Sequence, residues 1–581
     1  MLKIHSPSDI APRKLARRRG RALTAALLLG LAILPTFGFM MGSGSSASPP
    51  LSPTPPPAET VPDRAPDRTP DAPLPPEADP IVARPLQPIV RHRASANSEA
   101  NLERRVRELV NATKFKNGEV SVSIRACDDG DGPGREIVAI AASRPMIPAS
   151  NMKVVSTGAA LHQLGADFEF TTRVVRDRDR FTIVGDGDPA LGDPAFFDRL
   201  VFIDADGRQR NLDEEALLGF WVDAIAAAAG DEPIHLLVDD SIFESTGWHE
   251  GWNPNDRLKR YAAEVSGLNF HRNTFHFRPD ATTGGSRPDW TDMRPHAGWL
   301  LDSSRNISTR GGPTDDSTAW ISRLPESNDL TFRGIVRGRF LDTSPALEVT
   351  FHDPAMVLAD LLAERLQDRG VKVAAVGRAD EPTPRGARRV GPVIRTPIGP
   401  IVERCNEESQ NLYAESLLKR AAHARTGLPG SWTDADQVIH EIAAERLGPA
   451  SGDLLAEVRV SDGSGLSRDN RVTASFLTAW LDSFDDDPAL RSIFIDSLSR
   501  GGVEDDGTLA KRFRDLPEGC HVDGKSGYIN GVSTLSGFVT TPDGRRWTFS
   551  VLCNNVADNI RGAKTLQERV VHAVAMHGLS S

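Results

Sequence analysis

Cysteine is scarce in this chain of 581 residues, which has only four, at positions far apart: Cys127, Cys405, Cys520 and Cys553. Four scattered cysteines are too few for a disulfide framework, and they lack the spacing of a zinc cluster. Outside the cytosol one disulfide bridge would be compatible with them, and the sequence does not choose among the three possible pairings. Internal repeats are also absent, so the chain is not a repeat array.

The chain also lacks an excess of positive charge. Its formal net charge is -11, whereas a protein that binds nucleic acid neutralises phosphates with a concentrated basic face. His271 and His276 do not have the spacing of metal ligands, and no His-Glu-x-x-His motif occurs. We therefore expect no nucleic-acid partner, no metal site and no cofactor.

After an unusual N-terminal part, the chain has the composition of an ordinary globular protein. Its composition is 39% hydrophobic and 25% charged, and its length is sufficient for a large buried core. This excludes a fibrous, collagen-like, coiled-coil or wholly disordered protein.

Residues 1–47 have the pattern of an export signal. Basic residues between Lys3 and Arg21 precede an almost purely apolar stretch from Ala22 to Met41. A basic segment before an apolar one is typical of a secretory signal peptide or of an uncleaved signal anchor. We expect an exported, periplasmic or extracytoplasmic protein, and both a cleaved peptide and a retained membrane anchor fit the pattern.

Residues 48–95 are predicted to be a proline-rich linker without a fold of its own. Of the 42 prolines in the chain, 15 fall between Pro49 and Pro88. Such a composition buries little and favours an extended, polyproline-like tether. A tether after an export segment would hold the folded part away from a membrane.

The folded part is predicted to consist of residues 96–180, 181–346 and 347–581. Alternating runs at Glu119–Ala126 and Glu136–Ala142 predict a hairpin near the start of the first segment, and Pro148–Gly165 is typical of a buried helix. Residues 181–346 change to short strands and loops with their own tryptophans, which indicates one or two inserted modules. The third segment ends in predicted strands and a final helix: His521–Ile529, Thr534–Thr540, Trp547–Cys553 and 559–576.

Three short patterns carry the chemistry: Ser150-x-x-Lys153, Ser409-Gln410-Asn411 and Lys525-Ser526-Gly527. The first places a hydroxyl and an amine one helical turn apart. A serine needs an adjacent base to act as a nucleophile, and a lysine can be that base where burial lowers its pKa. In the third pattern, the glycine lets a ligand lie against a strand. Each pattern alone is weak, but the three in this order are a specific signal.

This set of motifs resembles that of the serine penicillin-recognising enzymes. It is most similar to the D-alanyl-D-alanine carboxypeptidase/endopeptidase family, the class C low-molecular-mass penicillin-binding proteins. The similar stretches extend from about residue 101 to the C-terminus: Gly185–Pro189, Asp239–Phe243, Gly267–Asn273, Ser409–Glu415, Asp462–Arg468 and Gly531–Gly537. The resemblance implies an α/β fold, with a β-lactamase/transpeptidase-like catalytic domain whose antiparallel sheet is flanked by helices, plus inserted modules.

The resemblance implies a catalytic role for four matching residues. Ser150 would attack the carbonyl between two D-alanines, and Lys153 would take its proton. Ser409 would relay a proton to the leaving amine, and Asn411 would hold the peptide side of the substrate.

It also implies how the substrate is bound. Lys525, with Ser526, would bind the terminal carboxylate and support proton transfer. The backbone N–H groups of Ser150 and Tyr528 would form the oxyanion hole. Two positions depart from the family's pattern, because Ser526 and Tyr528 stand where threonine is usual. Ser526 keeps the hydroxyl, whereas Tyr528 leaves a carboxylate-binding hydroxyl in doubt.

The resemblance implies a peptidoglycan D,D-peptidase that acts on stem peptides through an acyl-enzyme on Ser150, with β-lactams as inhibitors. One alternative is a catalytically weak wall-binding or regulatory protein on the same fold, which the intact motifs disfavour. Another is a β-lactamase, which the long insertion disfavours. The segment Asp462–Arg468 either lines the cleft or is a turn that caps a helix beginning near Thr473, and the sequence gives both interpretations equal weight.

Overall fold

The computed structural model of this chain describes residues 96–127, 134–197, 201–203, 209–280, 290–303, 305–312, 318–337, 346–384, 386–504 and 507–580. The predicted export signal and the proline-rich linker, residues 1–95, lie outside these ranges. Among the helices inside them, none is both long and apolar enough to cross a membrane.

The helices of the described ranges vary in length from 4 to 21 residues. In chain order they are α1 (Ala96–Ala112), α2 (Met152–Leu164), α3 (Pro194–Phe197), α4 (Glu214–Ala229), α5 (Gly298–Ser303), α6 (Pro354–Asp368), α7 (Ile398–Glu407), α8 (Asn411–Thr426), α9 (Ala435–Leu447), α10 (Ser451–Leu455), α11 (Ala474–Asp485), α12 (Arg491–Asp496) and α13 (Ile560–Ser580).

The strands are, in the same order, β1 (Glu119–Ala126), β2 (Arg135–Ile140), β3 (Glu169–Asp177), β4 (Arg180–Val184), β5 (Val201–Ile203), β6 (Gln209–Asn211), β7 (Ile234–Asp239), β8 (Thr274–Phe277), β9 (Met293–Arg294), β10 (Arg305–Gly312), β11 (Trp320–Arg323), β12 (Leu330–Arg337), β13 (Leu347–Thr350), β14 (Val373–Arg378), β15 (Arg388–Pro397), β16 (Ser499–Arg500), β17 (His521–Ile529), β18 (Val532–Thr540) and β19 (Arg546–Asn554). Most of them belong to two larger sheets.

The first sheet has the strand order β16-β17-β18-β19-β1-β2 within the described residues. All of its pairs are antiparallel, and β1 from the start of the fold pairs with β19 from its end. Both faces are covered. Leu535 and Val539 pack in a core with α1 and α13, whereas Phe538 belongs to the core formed by α2, α8, α9 and α11. Strands β18 and β19 are therefore buried along almost their whole length.

The second sheet has the order β14-β7-β4-β3-β15. It is mixed, because β7 lies parallel to both β4 and β14, while β3 is antiparallel to β4 and β15. Helices α4 and α6 pack on it around Trp221 and Leu362. This sheet takes strands from both sides of the predicted inserted region, so the limits at 181 and 346 cut through it. Pairing between strands this distant in sequence leaves no local signal.

Several predicted element boundaries agree with the structure. The strands β1 and β17 have the predicted ends, and the predicted helix at Pro148–Gly165 is α2 preceded by a short 3₁₀ turn at Ala149–Asn151. Strand β2 ends earlier than predicted because Ala141 has a positive φ of 47°, which an extended strand does not allow. The disulfide bridge left open by the sequence is not formed, since all four cysteines are unpaired.

Candidate active site

Ser150 lies in the short 3₁₀ turn that leads into α2, and this turn is attached to the first sheet. The buried Asn151 donates from Nδ2 to Thr534 Oγ1 of β18 at 2.6 Å, and Thr534 donates to the carbonyl of Pro148 at 2.7 Å. Ala149 has a φ of 45°, a conformation that L-residues rarely adopt. The turn is therefore held in a fixed position on both sides of Ser150.

Lys153 is fully buried one turn further along α2. Its Nζ lies 3.2 Å from Ser150 Oγ, 2.7 Å from Asn411 Oδ1 and 2.8 Å from the carbonyl oxygen of Ser464. Burial lowers the pKa of Lys153 from 10.5 to about 8, because an apolar environment disfavours the charged amine. This combination of contact and lowered pKa fits a base for a serine nucleophile.

The second motif lies at the start of α8. Ser409 precedes the helix with a φ of 60°, and Asn411 is the first helical residue. Asn411 is held at both ends of its amide, since Oδ1 accepts from Lys153 and Nδ2 donates to the carbonyl of Tyr261 at 2.7 Å. The side-chain amide of Asn411 therefore links Lys153 to Tyr261, which lies after β7 of the second sheet.

The third motif lies on β17, beside the turn that carries Ser150. A Cβ atom at Gly527 would lie 2.8 Å from the carbonyl oxygen of Pro148 and 2.9 Å from the nitrogen of Ser150. Only glycine allows the strand to approach the turn this closely. The backbone of β17 thereby comes next to the N–H of Ser150.

Lys525 is fully buried on β17 and donates to the carbonyl of Ser526 at 3.1 Å. Burial, and then the positive charge of Lys153, lower the pKa of Lys525 to about 7. The hydroxyl of Ser526 donates to Thr508 Oγ1 at 3.0 Å. Thr508 was not predicted from the sequence, since its only link to the motif is spatial. Tyr528 is 58% exposed at the edge of the site.

These residues meet at a cleft of about 1170 Å³. Ser150, Ser409, Asn411 and Tyr528 line it, while Lys153 and Lys525 are buried behind the lining. The cleft also has lining residues that the sequence did not suggest: Asn117, Trp252, Asn253, Asp256, Tyr261, Asn555 and Ala557. Most of the missed residues come from loops between elements, where neither periodicity nor a motif marks them.

The segment Asp462–Arg468 lines this cleft, which decides between its two interpretations. Ser464, Gly465, Leu466 and Arg468 are on the surface of the cleft. The capping role belongs elsewhere, because Thr473 caps α11 with its own side chain, which accepts from the N–H of Phe476 at 3.0 Å.

Comparison with known proteins gives consistent matches along the folded part. The sequence pattern of the D-Ala-D-Ala carboxypeptidase 3 (S13) family matches residues 104–575. A D-alanyl-D-alanine carboxypeptidase from Actinomadura sp. (strain R39) is 29% identical over 444 residues, which are 72% of this chain and 76% of that protein. Carboxypeptidase DacB from Mycolicibacterium smegmatis is 26% identical over 552 residues, 93% of each chain.

Solved structures show the same fold. The crystal structure of penicillin binding protein 4 (dacB) from Haemophilus influenzae aligns with a TM-score of 0.60 at 18% identity, and the match covers 80% of this chain and 99% of that chain. The same protein complexed with a β-lactam aligns with a TM-score of 0.56 at 16% identity. This likeness confirms the predicted fold class, an antiparallel sheet flanked by helices with further modules inserted.

Proposed function

The chain belongs to the D-Ala-D-Ala carboxypeptidase 3 (S13) family, as its motifs predicted, and from this premise we propose how its cleft works. The protein is a serine-type D-Ala-D-Ala carboxypeptidase, a D,D-peptidase. We assign its chemistry to the cleft around Ser150, with the stem peptides of peptidoglycan as substrate. The observation that carries this assignment is the distance of 3.2 Å between Ser150 Oγ and the buried amine of Lys153.

Acylation begins with proton transfer from Ser150 Oγ to the neutral amine of Lys153. The oxygen then attacks the carbonyl carbon between the two D-alanines, and the carbonyl oxygen becomes an oxyanion. The N–H groups of Ser150 and Tyr528 are the proposed donors to this oxyanion, as β17 lies beside the nucleophile's turn. Fixed donors of this kind stabilise the charge where it develops.

Collapse of the tetrahedral intermediate breaks the peptide bond and releases D-alanine, whose amine must gain a proton. Ser409 lines the cleft close to Asn411, which bonds Lys153 at 2.7 Å. A proton can thus pass from Lys153 to the leaving amine by way of the Ser409 hydroxyl. Asn411 orients the lysine and is the proposed contact for the peptide side of the substrate. Water then hydrolyses the acyl-enzyme.

The terminal carboxylate of the substrate is assigned to the third motif. Lys525 supplies positive charge and Ser526 supplies a hydroxyl, and Thr508 adds a second hydroxyl 3.0 Å from the first. A bound carboxylate favours the charged form of a neighbouring amine, so substrate binding would itself raise the pKa of Lys525. The hydroxyl of Thr508 compensates for the hydroxyl that Tyr528 does not provide.

β-Lactams are the proposed inhibitors of the same cleft. Their strained amide presents a carbonyl to Ser150 and a carboxylate to the third motif, so acylation uses the same groups as the peptide reaction. The related protein from Haemophilus influenzae has been solved with a β-lactam bound, which supports this proposal for a chain of the same fold.

We also propose that the protein acts outside the cytoplasm. The basic and apolar pattern of residues 1–47 supports export, and the proline-rich residues 48–95 suit a tether that places the folded part at the cell wall. A membrane tether would result if the apolar segment is retained.

The proposal is tested by release of D-alanine from a pentapeptide that ends in D-Ala-D-Ala, together with labelling by a fluorescent penicillin. The wild type and a Ser143→Ala control should show both activities, since Ser143 is an exposed serine outside the cleft. Ser150→Ala should show neither. Equal labelling and equal release by Ser150→Ala would refute the assignment of the nucleophile.

A further inference from the structure

The loop that faces Lys153 is held by two buried carboxylates that none of the three motifs includes. Glu415 lies on α8, one turn after Asn411, and Asp462 begins the loop; both are fully buried. A buried carboxylate is costly unless it is paired or accepts several hydrogen bonds. The hydrogen-bond partners of these two carboxylates indicate what they do.

Glu415 accepts the two backbone N–H groups that follow Asp462 in the loop. The N–H of Gly463 donates to Oε2 and the N–H of Ser464 donates to Oε1, both at 2.8 Å. The indole N–H of Trp432 donates to Oε2 at 2.9 Å. Three donors around one carboxylate favour its charged form, against burial and the neighbouring charge of Asp462, which both raise the pKa of Glu415.

Asp462 accepts two further backbone N–H groups of the same loop. The N–H of Gly465 donates to Oδ1 at 2.8 Å and the N–H of Ser467 donates to Oδ2 at 2.6 Å. Two side chains complete its shell, Asn470 on Oδ1 at 2.7 Å and Trp252 on Oδ2 at 2.8 Å. Four backbone N–H groups of one loop thus point at two carboxylates.

One peptide group connects Asp462 to the amine of Lys153. The peptide bond between Ser464 and Gly465 donates its N–H to Asp462, and its carbonyl oxygen accepts from Lys153 Nζ at 2.8 Å. A hydrogen bond on the N–H side polarises an amide and makes its carbonyl a better acceptor. Close packing fixes the position of this peptide, since a Cβ at Gly465 would lie 1.8 Å from the carbonyl oxygen of Ala149.

We propose that Glu415 and Asp462 are positioning residues for Lys153: Glu415 fixes Ser464 through its N–H, and Asp462 fixes and polarises the Ser464–Gly465 peptide, so that the carbonyl of Ser464 aims the lysine amine at Ser150. Neither carboxylate touches the substrate in this role. Their second effect is electrostatic, because both negative charges act on Lys153 across one layer of backbone. This inference rests on the proposed function of Ser150 and Lys153.

The other charged and titratable groups around Lys153 act differently. The charge of Lys153 lowers the pKa of Lys525 on β17. An ionised Cys405 on α7 would raise the pKa of Lys153, but this thiol stays neutral because burial raises its own pKa to about 12. Lys419, also on α8, is paired with Glu244 at 2.7 Å and lies 3.4 Å from the ring centre of Trp432. The charges of Glu415 and Asp462 both raise the pKa of Lys153 against the effect of burial.

The test is the pH dependence of acylation by a fluorescent penicillin in Glu415→Gln, Asp462→Asn and Glu415→Asp. Lys153 must be neutral to accept a proton, so the rate rises with pH through the pKa of Lys153. Removing one negative charge should move the midpoint of this rise down by about 1 pH unit and lower the plateau rate at least about tenfold. Glu415→Asp keeps the charge, so it should keep the wild-type midpoint even where it lowers the rate.

A merely structural role would lower the melting temperature and the fraction of active protein, but neither changes the pH midpoint. Asp360→Asn is the matched control, because it removes a half-buried carboxylate on α6 beside the second sheet, and it should reproduce the wild-type profile. Wild-type midpoints in both Glu415→Gln and Asp462→Asn would overturn this inference while leaving Ser150 as the nucleophile. Acylation of a residue other than Ser150 in the wild type would overturn both.

Discussion

Basic side chains are used in opposite ways beside the two large sheets. Next to the first sheet, Lys153 and Lys525 are fully buried, and among the described residues neither forms an ion pair with a carboxylate. Next to the second sheet, Arg378 bonds Asp240 at 2.9 Å and Asp353 at 2.8 Å. Burial lowers the pKa of the two lysines, whereas hydrogen bonds to the carboxylates raise the pKa of Arg378.

The difference teaches what each environment does to a cation. A buried amine without a carboxylate in direct contact gives up its proton near neutral pH and becomes available as a base. A guanidinium between two carboxylates stays charged and joins the segments that carry them. We expect the first arrangement to support chemistry and the second to support structure. The following predictions test this contrast, from the largest expected effect to the smallest.

Replacing Lys153 should have the largest effect. Lys153→Met removes the base while keeping an apolar chain of similar length, and the rate of acylation by penicillin should fall by about a hundredfold to ten-thousandfold. Lys153→Arg is the informative control, because a guanidinium does not lose its proton at these pH values. If Lys153→Arg acylates as fast as the wild type, deprotonation of this side chain is not part of the mechanism.

The pH dependence of the wild type should show the lowered pKa directly. With a pKa of about 8 for Lys153, only a small fraction of the amine is neutral at acidic pH, so acylation should accelerate about a hundredfold from pH 6 to pH 9. Stopped-flow acylation with a chromogenic β-lactam measures this profile. A rate independent of pH over this range would contradict a catalytic lysine with this pKa.

Lys525 should matter mainly for substrates with a free carboxylate. Lys525→Ala removes a charge-assisted hydrogen bond, which should lower kcat/KM for D-alanine release from a pentapeptide at least about tenfold. Lys525→Arg keeps the charge but is planar and larger, so its activity should lie between those of the alanine variant and the wild type. Full activity in Lys525→Ala would remove the third motif from the mechanism.

Thr508 should have a smaller effect of the same kind. Thr508→Ala removes the hydroxyl next to Ser526 and should lower kcat/KM by about threefold to tenfold, chiefly through KM, while Thr508→Ser should behave as the wild type. A substrate that ends in D-alaninamide has no carboxylate, and on it the two variants should be equal. Equal losses on both substrates would assign Thr508 to the stability of β17 instead.

Arg378 should affect stability alone. Arg378→Ala breaks a partly exposed ion-pair network beside the second sheet, which should lower the free energy of unfolding in urea by about 1 kcal/mol. The acylation rate and its pH profile should stay at their wild-type values. A change in the pH midpoint of acylation would show that the ion pairs of Arg378 influence the active-site lysines. It would then contradict the contrast between the two sheets.

Much of the candidate site could be predicted because the residues that meet at the cleft come from short local patterns. Ser150 and Lys153 are one helical turn apart, and Lys525 and Gly527 are close on one strand, so a few consecutive residues carry the signal. The limits of β1 and β17 could be predicted for the same reason, since alternating residues and flanking turns mark the ends of both strands.

The remainder depends on contacts between residues that are distant in sequence. The acceptor for Asn411 is a backbone carbonyl of Tyr261, 150 positions away, and a carbonyl has no sequence signature. Thr508 reaches the site from a short 3₁₀ turn at Gly507–Leu509, whose position is set by packing. The second sheet likewise joins strands that lie before and after the predicted insertion. Which strands pair in it depends on how the whole chain packs, and no local pattern marks this.

The most direct test of the central claim is to locate the covalent bond formed with penicillin. Intact-mass spectrometry and peptide mapping of the treated protein should show one adduct, on the peptide that contains Ser150, and Ser150→Ala should show none. An adduct on a different peptide, or an undiminished adduct in Ser150→Ala, would contradict the account of a serine nucleophile activated by Lys153.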